Sequence, residues 1–210
     1  MGDDLSAYRE ARDLEETGEP EGDEGGASSS DGSLFVVQEH AASTHHWDFR
    51  LEVDGVLRSW SVPKGPSTDP SDRRLAIPTE DHPLEYADFE GVIPEDEYGG
   101  GEVIVWDRGR YELLGGEEEG KPATLAGQLE EGHATFALHG EKLRGGYALQ
   151  RFDADEDEER WLLVKMDDEE ADARRDPVST EPESVLSGET VDSLAEKAVG
   201  EGGGEADDGA

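Results

Sequence analysis

The sequence has 210 residues, of which 55 are Asp or Glu and 18 are Lys or Arg, and its formal net charge is −37. This length suits one domain of ordinary size with extensions rather than several enzyme domains. It contains neither an apolar run long enough for a membrane-spanning helix nor a secretory leader, so we expect a cytoplasmic protein with no membrane partner. The absence of cysteine excludes disulfides, thiolate metal sites and a cysteine nucleophile.

The acidic residues are distributed unevenly along the chain. Residues 1–33 have a net charge of −9 and residues 167–210 of −12, whereas residues 34–86 carry 5 basic and 9 acidic residues and four of the six histidines. Arg outnumbers Lys 13 to 5, which fits adaptation to high salt, where charge repulsion is screened beyond about 3 Å at 1 M. We therefore expect a halophilic protein, and an acidic protein-interaction module is the alternative.

The predicted elements begin with a short helix within residues 3–16, followed by a flexible Gly-, Ser- and acid-rich linker over residues 17–33. Asp54-Gly55 is typical of a tight hairpin turn. Alternating and β-branched segments predict nine short strands, over residues 34–40, 46–53, 56–62, 74–80, 101–107, 110–114, 133–140, 146–152 and 160–166.

Residues 115–122 and 153–159 are predicted to be acidic loops, and a helix near residues 190–199 precedes an end expected to be disordered. Many short strands at this spacing predict a mainly β fold, a compact closed or nearly closed β-barrel with a short N-terminal helix and acidic flexible tails. The expected division is an arm and linker at 1–33, a barrel domain at 34–168 and an acidic, partly disordered tail at 169–210.

The second predicted strand has an unusual polar face. Side chains alternate along a strand, so His46, Asp48 and Arg50 share the face opposite its apolar residues. Gln38 and His40 likewise share a face of the preceding strand. Two imidazoles and a carboxylate from adjacent strands can hold a divalent ion with open positions, and Arg50 offers a planar fork suited to phosphate. An ordinary solvated strand face is the alternative interpretation.

A second polar pair lies further along the chain. If the strand at 74–80 continues, Glu80 and His82 share a face and Tyr86 follows four residues later. A structural histidine beside the turn at Pro83 is the alternative.

The remaining histidines and a glycine-rich motif are expected to have structural roles. His45 points away from the face of His46, and His133 and His139 lie in a distal strand without nearby ligand partners. The motif GGGEV at 99–103 precedes a strand rather than a helix, so it predicts a turn and not a phosphate-binding loop.

Two long segments closely resemble the 3′-phosphoesterase domain of bacterial DNA ligase D and its free-standing archaeal and bacterial relatives. They are FVVQEHAASTHHWDFRLEVDGVLRSWSVPKGPS (35–67) and EDHPLEYADFEGVIPEDEYGGGEVIVWDRG (80–109). The similarity extends to YREARDLEETGEPEG (8–22) and to DPVSTEPESVLSGETVDSLA (176–195), so it covers nearly the whole chain. The resemblance implies a compact β-barrel with a metal in a crescent groove.

The resemblance also implies roles for particular residues. A Mn²⁺ ion, with Co²⁺ or another divalent transition metal as the alternative, would be held by His40, His46 and Asp48. The residues implied in catalysis are Arg50, which would hold the phosphate, and Gln38, Glu80, His82, Tyr86, Arg12, Asp13 and Glu19. Lys64 and Arg74 are weaker candidates for contacting the nucleic-acid strand. His45 and Trp47 depart from the family pattern, which more often has an aliphatic residue and Tyr there.

The implied activity is the healing of DNA or RNA-tipped DNA 3′ ends. A 3′-terminal ribonucleotide is removed, and then the 3′-phosphate, which leaves a 3′-OH for a separately encoded ligase or polymerase. The sequence lacks a Lys-x-Asp-Gly motif, so we expect a protein that heals ends without sealing them. We also expect it to be a monomer. Two alternatives are a non-catalytic acidic recruitment module of an end-joining complex and a metal-dependent phosphatase for small esters.

The acidity generates a salt prediction. Repulsion among the acidic side chains loosens the fold and keeps DNA away at low salt, so stability and activity should both rise from about 50 mM towards molar KCl, opposite to the usual weakening of nucleic-acid binding. Thermal melts and end-healing assays across KCl concentrations measure this. A protein that is folded and most active at low salt would contradict halophilic adaptation.

The acidic C-terminal end is expected to contribute little to catalysis. Deleting residues 201–210 should therefore leave turnover nearly unchanged.

Overall fold

The structure, a computed structural model, describes residues 5–22, 33–116, 122–152 and 159–202. The predictions made above for residues 3–4, 23–32, 117–121, 153–158 and 203–210 lie outside this description. Nine strands are present in the described part: β1 (Leu34–Ala41), β2 (His46–Val53), β3 (Val56–Val62), β4 (Arg74–His82), β5 (Gly91–Ile93), β6 (Gly101–Leu113), β7 (His133–Gly140), β8 (Arg144–Phe152) and β9 (Arg160–Lys165). The helices are α1 (Ser6–Glu10), α2 (Leu14–Thr17), α3 (Leu125–Glu130), α4 (Pro177–Thr180), α5 (Val191–Gly202) and the 3-10 helix Leu84–Asp88.

Eight antiparallel strands form a closed barrel. Their order is β1-β2-β3-β4-β9-β8-β7-β6, and β6 pairs with β1 to close the circle, while the short β5 pairs with the edge of β6. The predicted hairpin turn at Asp54-Gly55 is confirmed, since both residues have positive φ, 51° and 90°, as a type I′ turn requires. The predicted mainly β barrel is therefore confirmed.

The structure corrects several predicted elements. The helix expected within residues 3–16 is two short helices, α1 and α2, because Arg12 and Asp13 interrupt it. The strands expected at 101–107 and 110–114 form one strand, β6. Gly109 lies inside it because a side chain there would collide with the carbonyl oxygen of His139 on β7, so this glycine marks a close approach of strands rather than a turn.

Apolar side chains occupy both sides of the barrel wall. The larger cluster includes residues from all eight strands, among them Phe35, Phe49, Trp60, Phe136 and Trp161. A second cluster lies on the opposite side of β1 and β3 and includes Tyr8, Val36, Leu57, Tyr86, Ala87 and Val105. The outer face of these strands is therefore covered, and not solvated, where residues 5–22 (the N-terminal arm) and the 3-10 helix pack on it.

Part of the C-terminal segment also packs on the barrel. Trp106 Nε1 donates to the carbonyl oxygen of Glu181 at 2.8 Å, and the backbone N–H of Val185 donates to Val105 at 3.0 Å. Helix α5, near the predicted position, contacts β5, β6 and β1. Within the described residues, no helix has both the length and the apolar character needed to cross a membrane.

Candidate metal and phosphate site

A cavity of about 280 Å³, lined by several charged side chains, lies on the outer face of β1–β4, beneath the N-terminal arm, the 3-10 helix and the turn at 94–101. Its lining joins residues far apart in the sequence, namely Arg12, Glu19, His40, Ala42, His46, Asp48, Arg50, Ser61, Thr79, Glu80, His82, Tyr86, Ile93, Tyr98 and Gly99. The two polar groups that the sequence pattern indicated, one on β1–β2 and the other on β4, therefore line one pocket.

The strand register brings three metal-ligand side chains together. His40 and His46 are directly opposite each other in the β1–β2 pair, and Asp48 lies two residues further along β2 on the same face. One ligand atom from each lies within 4.8 Å of the others. Asp48 Oδ2 lies 3.7 Å from His40 Nδ1, and Asp48 Oδ1 lies 3.5 Å from His46 Nε2.

Backbone carbonyls orient both imidazoles. His40 Nε2 lies 2.8 Å from the carbonyl oxygen of Gly99, and His46 Nδ1 lies 2.8 Å from that of Thr44. Since a carbonyl only accepts, each ring carries its N–H there and directs its other nitrogen towards Asp48. Metal-binding histidines typically have this arrangement, which fixes the tautomer and exposes a lone pair to the ion.

The charge of the cluster attracts a cation. Burial alone would raise the pKa of Asp48, but the charge of Arg50 and the neighbouring His40 and His46 rings hold it well below its ordinary value, so its carboxylate is ionised. Burial would lower the pKa of His46, but the contact with Asp48 and the charge of that carboxylate raise it, so a metal ion would bind at this ring in competition with a proton. The donor set of two imidazoles and one carboxylate therefore fits a divalent transition metal with open positions.

The guanidinium of Arg50 is buried and surrounded by acceptors. Its Nε donates to Gln38 Oε1 at 2.8 Å, Nη1 to Ser59 Oγ at 2.8 Å and Nη2 to Asp48 Oδ2 at 3.0 Å. Gln38 is itself fixed, since its Nε2 donates to the carbonyls of Tyr86 and Phe89, both at 3.0 Å. Several of the Arg50 N–H groups that were expected to bind phosphate therefore donate hydrogen bonds to other residues of the protein.

His82 lies between two guanidinium groups. Arg12 Nη2 is 3.2 Å from its Nε2, while Arg50 Nη1 and the carbonyl oxygen of Glu80 are 3.0 and 2.9 Å from its Nδ1. Only the tautomer protonated at Nδ1 makes two hydrogen bonds, donating to Glu80 and accepting from Arg12. Burial and the charges of Arg50 and Arg12 hold the pKa of His82 well below its ordinary value, so this imidazole is neutral near pH 7.

Two carboxylates and a phenol complete the pocket. Arg12 donates to Glu80 Oε1 at 2.7 Å and to Glu19 Oε1 at 2.9 Å, and Tyr86 donates its hydroxyl to the same oxygen of Glu19 at 3.0 Å. Burial, opposed by the charge of Arg50, raises the pKa of Tyr86 well above its ordinary value, so its hydroxyl remains a donor.

Other candidate residues lie outside the cavity lining. Asp13 is exposed and caps α2 by accepting from the backbone N–H of Glu15 at 3.2 Å. Lys64 is exposed in the turn after β3, and Arg74, at the opposite end of β4 from His82, donates to Asp72 at 2.8 Å.

The three other histidines also lie outside the cavity lining. His45 pairs with Glu39 at 2.8 Å, whereas His133 and His139 are exposed on β7.

Sequence reasoning missed the residues that hold the implicated groups in place. Ser59 accepts from Arg50, Thr79 lines the cavity, and Gly99 orients His40 through its backbone. Tyr98, a residue of the turn at 94–101, lines the cavity while remaining exposed. The signal for Ser59 was the hairpin turn at Asp54-Gly55, which pairs it with Arg50 across β2 and β3. A backbone carbonyl such as that of Gly99 leaves no signal in the sequence.

The fold and the site together define a β-barrel with a candidate metal and phosphate pocket on its outer face. The family model described as the DNA Ligase D 3′-phosphoesterase domain matches residues 38–151, more than half of the chain. The chain therefore belongs to the DNA ligase D 3′-phosphoesterase domain family.

Curated relatives are much longer proteins. The chain is 48% identical over 189 residues to the multifunctional non-homologous end joining protein LigD of Pseudomonas aeruginosa, which covers 89% of this chain and 22% of that protein. It is 45% identical over 166 residues to the corresponding DNA repair protein of Mycobacterium tuberculosis, covering 79% of this chain and 20% of the relative. The LigD protein of Mycolicibacterium smegmatis is 41% identical over 170 residues, which cover 80% of this chain and 21% of that protein. The chain thus spans about a fifth of the length of these relatives.

The adjacent histidines His45 and His46 allow a matched test of the metal site. Manganese that binds the folded state should raise the melting temperature. At a free Mn²⁺ concentration of 100 times the dissociation constant, the free energy of unfolding should increase by about 2.7 kcal/mol. His46→Ala should lose this metal-induced rise, whereas His45→Ala, which removes a histidine from the opposite face, should retain it. Thermal melts with EDTA or Mn²⁺ make the measurement. A full metal-induced rise in folded His46→Ala would contradict the site.

Proposed function

We propose that this chain is a metal-dependent 3′-end-healing phosphoesterase. It acts on DNA or RNA-tipped DNA 3′ ends, removes a 3′-terminal ribonucleotide to leave a 3′-phosphate, and then hydrolyses that phosphate to leave a 3′-OH. The observation that carries the proposal is the location of two oriented imidazoles and a carboxylate beside two buried guanidiniums in one pocket. Family membership supports the same reaction class.

His40, His46 and Asp48 would hold the metal, for which we propose Mn²⁺. When bound, such an ion acts as a Lewis acid on a phosphate oxygen and lowers the pKa of water. The pocket residues set the charge that a phosphate meets. Two arginines face three carboxylates, those of Glu19, Asp48 and Glu80, so the lining carries one net negative charge with His82 neutral. A divalent cation reverses this sign, which favours an anionic substrate only in the loaded pocket.

Arg50 and Arg12 would stabilise the charge that develops on the phosphate during attack by water. Both guanidiniums are already ordered by protein acceptors, so little reorganisation is needed when the charge appears. Because Arg50 donates to Gln38, Ser59 and Asp48, it acts on phosphate through its charge and its remaining N–H groups. Hydrolysis breaks the P–O bond on the leaving side, and the departing oxygen must gain a proton.

His82 is the candidate for supplying that proton. In the free protein it is neutral, because burial and the two flanking guanidiniums disfavour the imidazolium. A bound phosphate brings negative charge next to Arg12 and Arg50, which raises the proton affinity of the imidazole between them. His82 would therefore become a general acid only when substrate is present. Tyr86 would serve as a neutral hydrogen-bond donor on the same side of the pocket.

We propose that the barrel domain at 34–168 carries out the chemistry and that the N-terminal arm contributes Arg12 and Glu19. A separately encoded ligase or polymerase would use the 3′-OH product. A pure recruitment module, the first alternative, needs no oriented ligand set, and a phosphatase for small esters remains the second. Substrate comparisons separate these functions.

End-labelled DNA with a single 3′-ribonucleotide is the decisive substrate. With Mn²⁺ it should yield first a 3′-phosphate and then a 3′-OH product, and EDTA should stop both steps. The His46→Ala protein should lose most activity, whereas the matched His45→Ala protein should retain it, as resolved on denaturing gels. Equal or faster turnover of a nucleoside 3′-phosphate would favour the small-ester phosphatase, and no turnover of either substrate would favour the recruitment module.

Substituting the buried guanidinium tests its proposed role separately. Arg50→Lys preserves a positive charge, but one ammonium cannot donate to Gln38, Ser59 and Asp48 in the same planar geometry. We expect kcat to fall by about 10²-fold or more, as when a pre-organised electrostatic donor is lost. Steady-state kinetics on a 3′-phosphate oligonucleotide provide the measurement, with circular dichroism to verify the fold. Wild-type kcat in Arg50→Lys would show that charge alone suffices.

A further inference from the structure

Tyr98 differs from the other four tyrosines of the chain. Its side chain is 54% exposed, whereas Tyr8, Tyr86, Tyr111 and Tyr147 are buried. Tyr98 nevertheless lines the metal and phosphate pocket. An aromatic side chain that remains largely exposed beside such a pocket leaves apolar surface on which another planar group can pack.

Backbone contacts define the turn that carries Tyr98. The backbone N–H of Glu97 donates to Pro94 at 3.0 Å, and that of Gly100 donates to Glu97 at 3.1 Å. Side chains at Gly100 and Gly101 would collide with the backbones of Pro94 and Ala41, respectively. The neighbouring Gly99 carbonyl also accepts from His40, so this turn is linked directly to a proposed metal ligand.

Charged residues of the pocket also contact the ring. The guanidinium carbon of Arg12 lies 5.1 Å from the ring centroid of Tyr98, within the range of a cation–π contact. The Tyr98 hydroxyl donates to Glu80 Oε2 at 3.4 Å. These contacts orient the ring at the rim without burying it, so its exposed surface is presented next to the groups that line the pocket.

We propose that Tyr98 is the stacking platform for the base of the 3′-terminal nucleotide and favours 3′-phosphates that carry a base over phosphate esters that lack one. This assignment rests on the proposed function. A phosphate beside Arg50 and the metal ligands places its nucleoside towards the mouth of the pocket, where Tyr98 lies. Stacking on an aromatic ring tolerates any sequence because every base has a π-face, as end healing of arbitrary sequences requires.

The test combines variants of Tyr98 with substrates that have or lack the terminal base. Labelled oligonucleotides ending in a 3′-phosphate are compared with otherwise identical oligonucleotides whose last nucleotide is abasic. Tyr98→Ala should weaken binding and raise KM about tenfold or more for the base-containing substrate, and change the abasic one by less than about twofold. Tyr98→Phe, which retains the ring, should keep the difference between the two substrates. Phe152→Ala, which removes a partly exposed aromatic ring outside the pocket, should match the wild type.

Binding is measured with Mn²⁺ present, by fluorescence anisotropy of the corresponding 3′-OH oligonucleotides, which are not hydrolysed. Turnover of the 3′-phosphate substrates is measured as KM and kcat with Mn²⁺, so the two proposals can fail separately. An equal effect of Tyr98→Ala on both substrates, or no effect, would overturn the stacking assignment while leaving end healing intact. Impairment of Tyr98→Phe equal to that of Tyr98→Ala would also overturn it, because the hydroxyl contact with Glu80 would then be responsible. Base-dependent binding without any hydrolysis would support stacking and overturn end healing.

Discussion

A buried guanidinium must be surrounded by acceptors, and the candidate site depends on how Arg50 meets this requirement. Its partners are Gln38 from β1, Asp48 from β2 and Ser59 from β3, and its Nη1 also lies 3.0 Å from His82 at the end of β4. Removing one member of a buried charged pair costs about 3–5 kcal/mol, because the other charge is left without compensation. The proposed metal ligand Asp48 and the proposed acid His82 therefore both contact the same guanidinium, so their positions are coupled even though they lie on different strands.

The local charge of the pocket would explain how a chain with a net charge of −37 could carry out the proposed reaction on nucleic acid. The bulk of the acidic residues repels phosphate at long range, but salt screens that field within a few ångströms to about 10 Å. Inside the pocket the balance is only one negative charge, and a divalent ion reverses it. Metal loading would then control whether substrate enters as well as how it reacts. Long-range acidity and short-range attraction are compatible because they act over different distances.

The sequence predicted the parts of the site that follow from strand alternation. The period of two placed His46, Asp48 and Arg50 on one face, and the β2–β3 hairpin followed from its turn residues. It did not predict that the outer face is buried, because the covering segments are distant in sequence. Arg12 bonds Glu80 across 68 residues, and neither residue belongs to a periodic pattern that links them; only the family resemblance pointed to the arm. The continuity of β6 was missed because Gly109 indicates a turn in isolation.

The filled interior of the barrel explains why the candidate site needs these covering segments. An eight-stranded barrel is just wide enough for its own side chains, and here aromatic residues such as Phe49, Trp60 and Phe136 occupy that space. The proposed metal and phosphate would therefore bind on the outer face, where water would weaken every electrostatic interaction. The N-terminal arm, the 3-10 helix and the turn at 94–101 reduce that exposure, and they contribute Arg12, Tyr86 and Tyr98 to the lining. The segments that exclude water are thus also the ones that would contact the proposed substrate, so changes in them would alter specificity without disturbing the barrel.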